Sequence, residues 1–202
     1  MTVKALFIRH SESTGNAQHL VKGAKEYPLD AKGKEESQKL ATRIARYKPT
    51  IVVTSPLGRA KVPAQDIARR AKVSLHVDKQ LLPQRFGTLT GTPAKQGEPI
   101  ISKMSKEEPD RNVGGSKGQS FNSALKQNDS AMRRIKMRIA NGERPAVVTH
   151  SRVLRNLPHS LFGSKPKDPT KGGPEPSGLI ILDSRNKLQT HAPVGATRRR
   201  NA

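Results

Sequence analysis

Leu6-Phe7-Ile8-Arg9-His10-Ser11-Glu12-Ser13-Thr14-Gly15-Asn16 begins as an apolar run and breaks off in Arg-His, followed by small polar residues. Strands end this way when their last side chains reach the C-terminal edge of a parallel sheet, the edge at which α/β proteins bind ligands. Arg beside His at such an edge suits an anion. Arg offers a fixed fork of donors to phosphate oxygens, and His serves as nucleophile, acid or base near neutral pH. Two further junctions repeat the pattern. Thr50-Ile51-Val52-Val53-Thr54 runs into Ser55-Pro56-Leu57-Gly58-Arg59-Ala60, and Pro145-Ala146-Val147-Val148-Thr149 runs into His150-Ser151-Arg152. One Arg-His pair is weak evidence. Three strand-to-helix junctions, each delivering a phosphate-suited residue (Arg9 with His10, Arg59, His150), form a constellation.

With these residues the chain resembles the histidine phosphatase superfamily, the cofactor-independent phosphatases and phosphoglycerate-mutase-like enzymes. Arg9-His10-Ser11-Glu12-Ser13-Thr14-Gly15-Asn16 is similar to that family's Arg-His-Gly-x-Thr/Ser-x-x-Asn pattern, and Pro28-Leu29-Asp30-Ala31-Lys32-Gly33-Lys34-Glu35 to its Leu-Thr/Ser-x-x-Gly stretch. Ser55 to Ala60 matches Ser-x-Leu-x-Arg-Ala, Leu82 to Gly91 imperfectly matches the Leu-x-Glu-x-x-Phe-Gly region, and Val148 to Ser151 matches the second histidine motif. The likeness runs in order from Val3 to Asp183. It implies a three-layer α/β/α sandwich with a mostly parallel central sheet and one antiparallel strand, in a single domain over residues 1–192. A basic flexible tail is expected over 193–202, around Thr197-Arg198-Arg199-Arg200.

Bulk properties narrow the classes. The 202 residues suffice for one well-buried α/β domain. With no Cys there is neither a disulfide nor a thiolate metal site. No apolar stretch has the length of a membrane span and the start lacks a signal-peptide core, so a cytoplasmic protein is expected. The net charge of +22 is spread along the chain, with +5, +5, +5 and +7 in residues 1–50, 51–100, 101–150 and 151–202. A solvated basic surface is one reading; non-specific, salt-sensitive attraction to nucleic acid or another polyanion is the other. Aromatic residues make up only 3%, which argues against a stacking platform for single strands.

Periodicity predicts strands at 3–8, 51–54, 73–77, 146–149 and 178–183, the last hairpinned to 187–191, and helices at 34–47, 59–71, 121–140 and 151–161. Pro63 is expected in the first turn of its helix, where a missing N–H is tolerated. Residues 83–120 and 163–177 read as loops that set specificity. Gly114-Gly115-Ser116-Lys117-Gly118 lacks the Gly-x-x-x-x-Gly-Lys-Ser/Thr spacing of a nucleotide loop.

The resemblance implies His10 as nucleophile, Arg9 and Arg59 as clamps on phosphoryl oxygens, and a protonated His150 as donor to the transferring group. Asn16, Ser13, Lys22, Gly23 and Ser151 are expected to contact substrate. No metal and no cofactor are implied. His19, His76, His159 and His191 match no motif and read as bystanders. Two departures matter. The family's usual general-acid Glu falls on Pro83, with Gln84 next, and its Gly-Glu-Ser motif reads Gly118-Gln119-Ser120. The Gly after each histidine is Ser11 or Ser151, a strain if that backbone needs positive φ. Glu98, Glu107, Glu108 and Asp110 lie in the variable region, and sequence chooses none of them as a replacement acid. The expected function is a metal-independent phosphohydrolase acting through phosphohistidine on a small phosphorylated substrate, including those with good leaving groups. Hydrolase is favoured over mutase because mutases of this family carry extra segments. The alternative is a degenerate phosphatase fold retained for binding polyanions.

Overall fold

A computed structural model describes residues 2–166 and 173–194. Strands β1 (Val3–Arg9), β2 (Ile51–Thr54), β3 (Leu75–Val77), β4 (Pro145–Thr149), β5 (Leu179–Asp183) and β6 (Leu188–His191) form one sheet in the order β3-β2-β4-β1-β5-β6. β3, β2, β4 and β1 pair in parallel, while β5 runs antiparallel to both β1 and β6. One strand is therefore reversed, as expected.

Alternation along the strands builds two cores. Ala5 and Phe7 of β1 face one way, into a cluster with Val147, Met132, Ile135, Leu154 and Leu161. Leu6 and Ile8 face the other, against Leu40, Ile44, Ala64 and Ile67. Helices α2 (Ala31–Ala45) and α3 (Gly58–Ala71) supply the second layer; α5 (Phe121–Ala140), α6 (Ser151–Arg155) and α7 (Leu157–Phe162) supply the first. A sheet covered on both faces reads as continuous apolar runs, which is why β2 and β4 are buried throughout.

Four details depart from the periodic pattern. The helix expected over 151–161 is two helices broken at Asn156, since Pro158 has no N–H to donate to the Leu154 carbonyl and stands instead in the first turn of α7, where none is needed. Pro63 lies in the second turn of α3, not the first, so the Arg59 carbonyl loses its helical donor. Within the expected loop 83–120 stands helix α4 (Ala94–Glu107), which buries Ile101 against Val21, Phe86 and Val113 in a satellite core. The short helix α1 (Thr14–Ala17) also follows β1. Thr197–Arg200 and part of the 163–177 loop lie outside the described residues.

Candidate active site

Strand register brings the two histidines together. Arg9 of β1 sits beside Thr149 of β4, and the His10 amide donates to the Thr149 carbonyl at 3.0 Å. The residue after each strand is thus one of a pair: the imidazoles of His10 and His150 meet edge-to-face with centroids 5.2 Å apart. β2 pairs Thr54 with Val148, which carries Ser55 to His150, and the Ser55 hydroxyl lies 2.8 Å from His150 Nε2.

The His10 ring has a defined tautomer. Its Nδ1 lies 2.7 Å from the Ser11 carbonyl oxygen. A carbonyl only accepts, so Nδ1 carries the proton and Nε2 presents a lone pair. Burial, reinforced by the charges of Arg59 and Arg9, holds the His10 pKa well below its usual range. Burial, with Arg59, does the same to His150. With no anion bound His150 is accordingly held toward its neutral form, whereas the protonated donor expected from sequence belongs to the phosphate-bound site.

Both arginines remain cationic at neutral pH. Burial brings Arg9 down to about 10, opposed chiefly by Glu175, and Arg59 to about 10, opposed chiefly by Glu26. Arg9 donates through one terminal nitrogen to the Pro174 carbonyl at 2.7 Å. Arg59, only 1% exposed, donates to the carbonyls of Lys25 and Gly23, each at 2.8 Å. Arg59 therefore also fixes the 22–25 loop, a role its motif did not disclose.

Arg9, His10, Lys22, Gly23, Arg59, His150 and Ser151 line one cavity of about 110 Å³ together with Pro83, Phe86, Glu98, Arg152 and Arg155. Five of its walls are cations and one is a carboxylate. Four buried polar atoms without a hydrogen-bond partner among the described residues belong to it: Arg9 Nε, Arg59 Nε, His150 Nδ1 and the Ser151 hydroxyl. Buried polar groups normally have partners, and this set is suited to an oxyanion. A wider neighbouring cavity of about 570 Å³ is lined by Asn16, His19, Lys22, Glu98, Lys32 and several carboxylates.

The expected contact residues separate. Lys22, Gly23 and Ser151 reach the small cavity and Asn16 the wide one. Ser13 reaches neither; it is buried and its hydroxyl donates to Asn16 Oδ1 at 2.7 Å. His19, read as a bystander, is on the wide cavity's wall. Neither Ser11 nor Ser151 has positive φ, so replacing the glycines there causes no strain. The Ser11 hydroxyl instead accepts from Ser177 at 3.0 Å. Pro83 lies on the wall, while Gln84 and Gln119 bond to each other's loops: Gln84 Nε2 donates to the Gln119 carbonyl at 2.9 Å.

Sequence reasoning did not single out Arg152 or Arg155, and it named Glu98 only as one of four carboxylates in the variable region. Arg152 stacks 4.7 Å over the Phe86 ring and pairs with Glu98 at 3.3 Å. The signal for the two arginines was their place in the first turns after His150. Glu98 had none, because its helix was not visible.

The profile of the histidine phosphatase superfamily (branch 1) matches residues 5–192. A probable phosphoglycerate mutase of Escherichia fergusonii is 27% identical over 169 residues, covering 80% of this chain and 75% of its own. Phosphoglycerate mutase-like protein 4 of Arabidopsis thaliana is 29% identical, covering 74% and 67%. Among solved structures, mycobacterial glucosyl-3-phosphoglycerate phosphatase superposes with a TM-score of 0.76 at 16% identity, covering 94% of this chain and 97% of its own. The alpha-ribazole phosphatase of Shigella flexneri gives 0.73 at 19%, covering 96% and 98%. These structures share the phosphoglycerate-mutase fold, and the chain belongs to the histidine phosphatase superfamily.

Proposed function

We propose that the protein is a phosphohydrolase that works through a phosphohistidine on His10 and needs no metal. The observation that carries this is the His10 ring: its Nδ1–H is bonded to the Ser11 carbonyl, so the lone pair on Nε2 belongs to the cavity walled by Arg9, Arg59 and His150. A neutral, oriented nucleophile among cations is what attack on a phosphate requires. The Nε2 lone pair forms a bond to phosphorus as the P–O bond to the leaving group breaks. Water then attacks phosphorus, the P–N bond breaks, and the electron pair returns to Nε2.

Arg9 and Arg59 stabilise the equatorial oxygens. Neutral His150 donates one hydrogen bond, and a phosphoryl dianion beside it favours its protonated form. Two structures that the chain matches along nearly their whole length are named as phosphatases, which supports hydrolysis, while another so matched is named as a phosphoglycerate mutase. One of the two phosphatases has been solved with VO3, an oxyanion. The test is phosphate release from an activated aryl phosphate, an acyl phosphate and an alkyl monoester in the presence of a chelator. Turnover that persists in chelator and vanishes in His10→Ala is expected. Turnover that survives His10→Ala contradicts the proposal.

A further inference from the structure

Cleavage of an alkyl ester needs a proton for the departing oxygen, and the position where relatives carry a carboxylic acid is Pro83. Among the described residues, four line both the small cavity and the wide one: Arg9, Leu20, Lys22 and Glu98. In-line attack places the leaving oxygen on the side of phosphorus away from Nε2, and a substituent that extends into the wide cavity passes this junction. Leu20 has no proton to give. Arg9 is held by the Pro174 carbonyl, and Glu98 is committed to its ion pair with Arg152.

Resting on the phosphohistidine reading, we propose that Lys22 is the proton donor to the leaving group and the base that later accepts the proton of water. Lys22 is built into the site. A Cβ on Gly15 would lie 2.9 Å from Lys22 Cγ and Cδ, so the bare glycine of α1 is what lets the lysine stem lie against the His10 loop. The next residue, Gly23, is fixed through its carbonyl by Arg59. The ammonium spends one weak bond, 3.3 Å, on the Leu20 carbonyl. Burial, then Arg9 of β1, Arg59 of α3 and Arg152 of α6, lowers its pKa to about 8, with Glu98 of α4 opposing. It is a cation at neutral pH that gives up a proton readily.

The step balances. The ammonium gives one proton to the leaving oxygen as the P–O bond breaks, yielding an alcohol and a neutral amine. The amine takes a proton from the attacking water as the P–N bond breaks, and both groups are restored.

Lys22→Arg, Glu98→Gln and His10→Ala, assayed on para-nitrophenyl phosphate and glycerol 2-phosphate, test this. Arginine keeps the charge and cannot act as the donor. Lys22→Arg is expected to lower kcat/KM, which reports phosphoryl transfer to His10 and not the later hydrolysis common to both esters, by about 10²–10⁴-fold more on the alkyl ester than on the aryl ester. The wild-type alkyl rate should fall as pH rises past about 8 while the aryl rate holds. Equal losses of kcat/KM on both esters, or a leaving-group split in Glu98→Gln instead, would overturn the role of Lys22. Aryl turnover persisting in His10→Ala would instead overturn the phosphohistidine reading beneath it.

Discussion

At the scale of the residue, two buried imidazoles link catalysis to stability. His10 is 2% and His150 4% exposed, and each is held neutral well below the ordinary histidine range. Once the pH drops below about 6.5, the unfolded chain binds protons at both rings that the folded chain does not. Stability is therefore lost as pH falls, by about 1.4 kcal/mol per pH unit for each ring until its folded pKa is reached. Urea unfolding between pH 7 and pH 5 should show a shallower slope in His150→Gln than in the wild type. An unchanged slope would mean that His150 is protonated in the fold. What sequence revealed at this scale was identity and junction: Arg9, His10, Arg59 and His150 stand at strand ends that apolar runs make visible. What it hid was partnership. Nothing in the motif shows that Arg59 spends two donors on the carbonyls of Gly23 and Lys25, or that the Ser13 hydroxyl is bonded to Asn16.

At the scale of the element, two helices decide how the site is held. Asp30 caps α2 by accepting from the Gly33 amide at 2.7 Å. A Cβ on Gly33 would stand 1.8 Å from the Glu12 carbonyl oxygen, so α2 presses directly on the His10 loop. Gly33→Ala should lower both the melting temperature and kcat; a full kcat would show that the loop moves aside without disturbing His10. Helix α4 carries Glu98 and is anchored by Ile101. Ile101→Ala should cost about 2–5 kcal/mol of packing. Because the cluster is a satellite of the main cores, hydrogen exchange should rise in α4 more than in α5. Equal protection in both would contradict this. α4 was illegible because Gly97 and Pro99 argue against a helix, and only Ile101 of its large apolar residues is fully buried. By contrast α5 was read to the residue, since its apolar stripe repeats at helical spacing and Ser120 caps it.

At the scale of the whole molecule, the three layers follow from alternating strands and helices, but the reversal of β5 does not. That came from the resemblance, because a strand's direction is set by pairing across the chain rather than by its own residues. No described helix is long and apolar enough to cross a membrane. The net charge of +22 makes a field that should gather phosphorylated substrates. With a screening length of about 8 Å at physiological salt, kcat/KM should fall several-fold as ionic strength rises, with kcat nearly constant. A salt-independent kcat/KM would show that the charge has no part in capture.

The proposed function rests on one covalent bond, between His10 Nε2 and phosphorus. The direct measurement is rapid acid-free quenching of the protein during turnover of an aryl phosphate, followed by peptide mass analysis. One phosphoryl group on the peptide containing His10, stable in base and lost in acid, is the result expected. Turnover with no phosphoryl group on His10, or with one on another residue, would contradict the account.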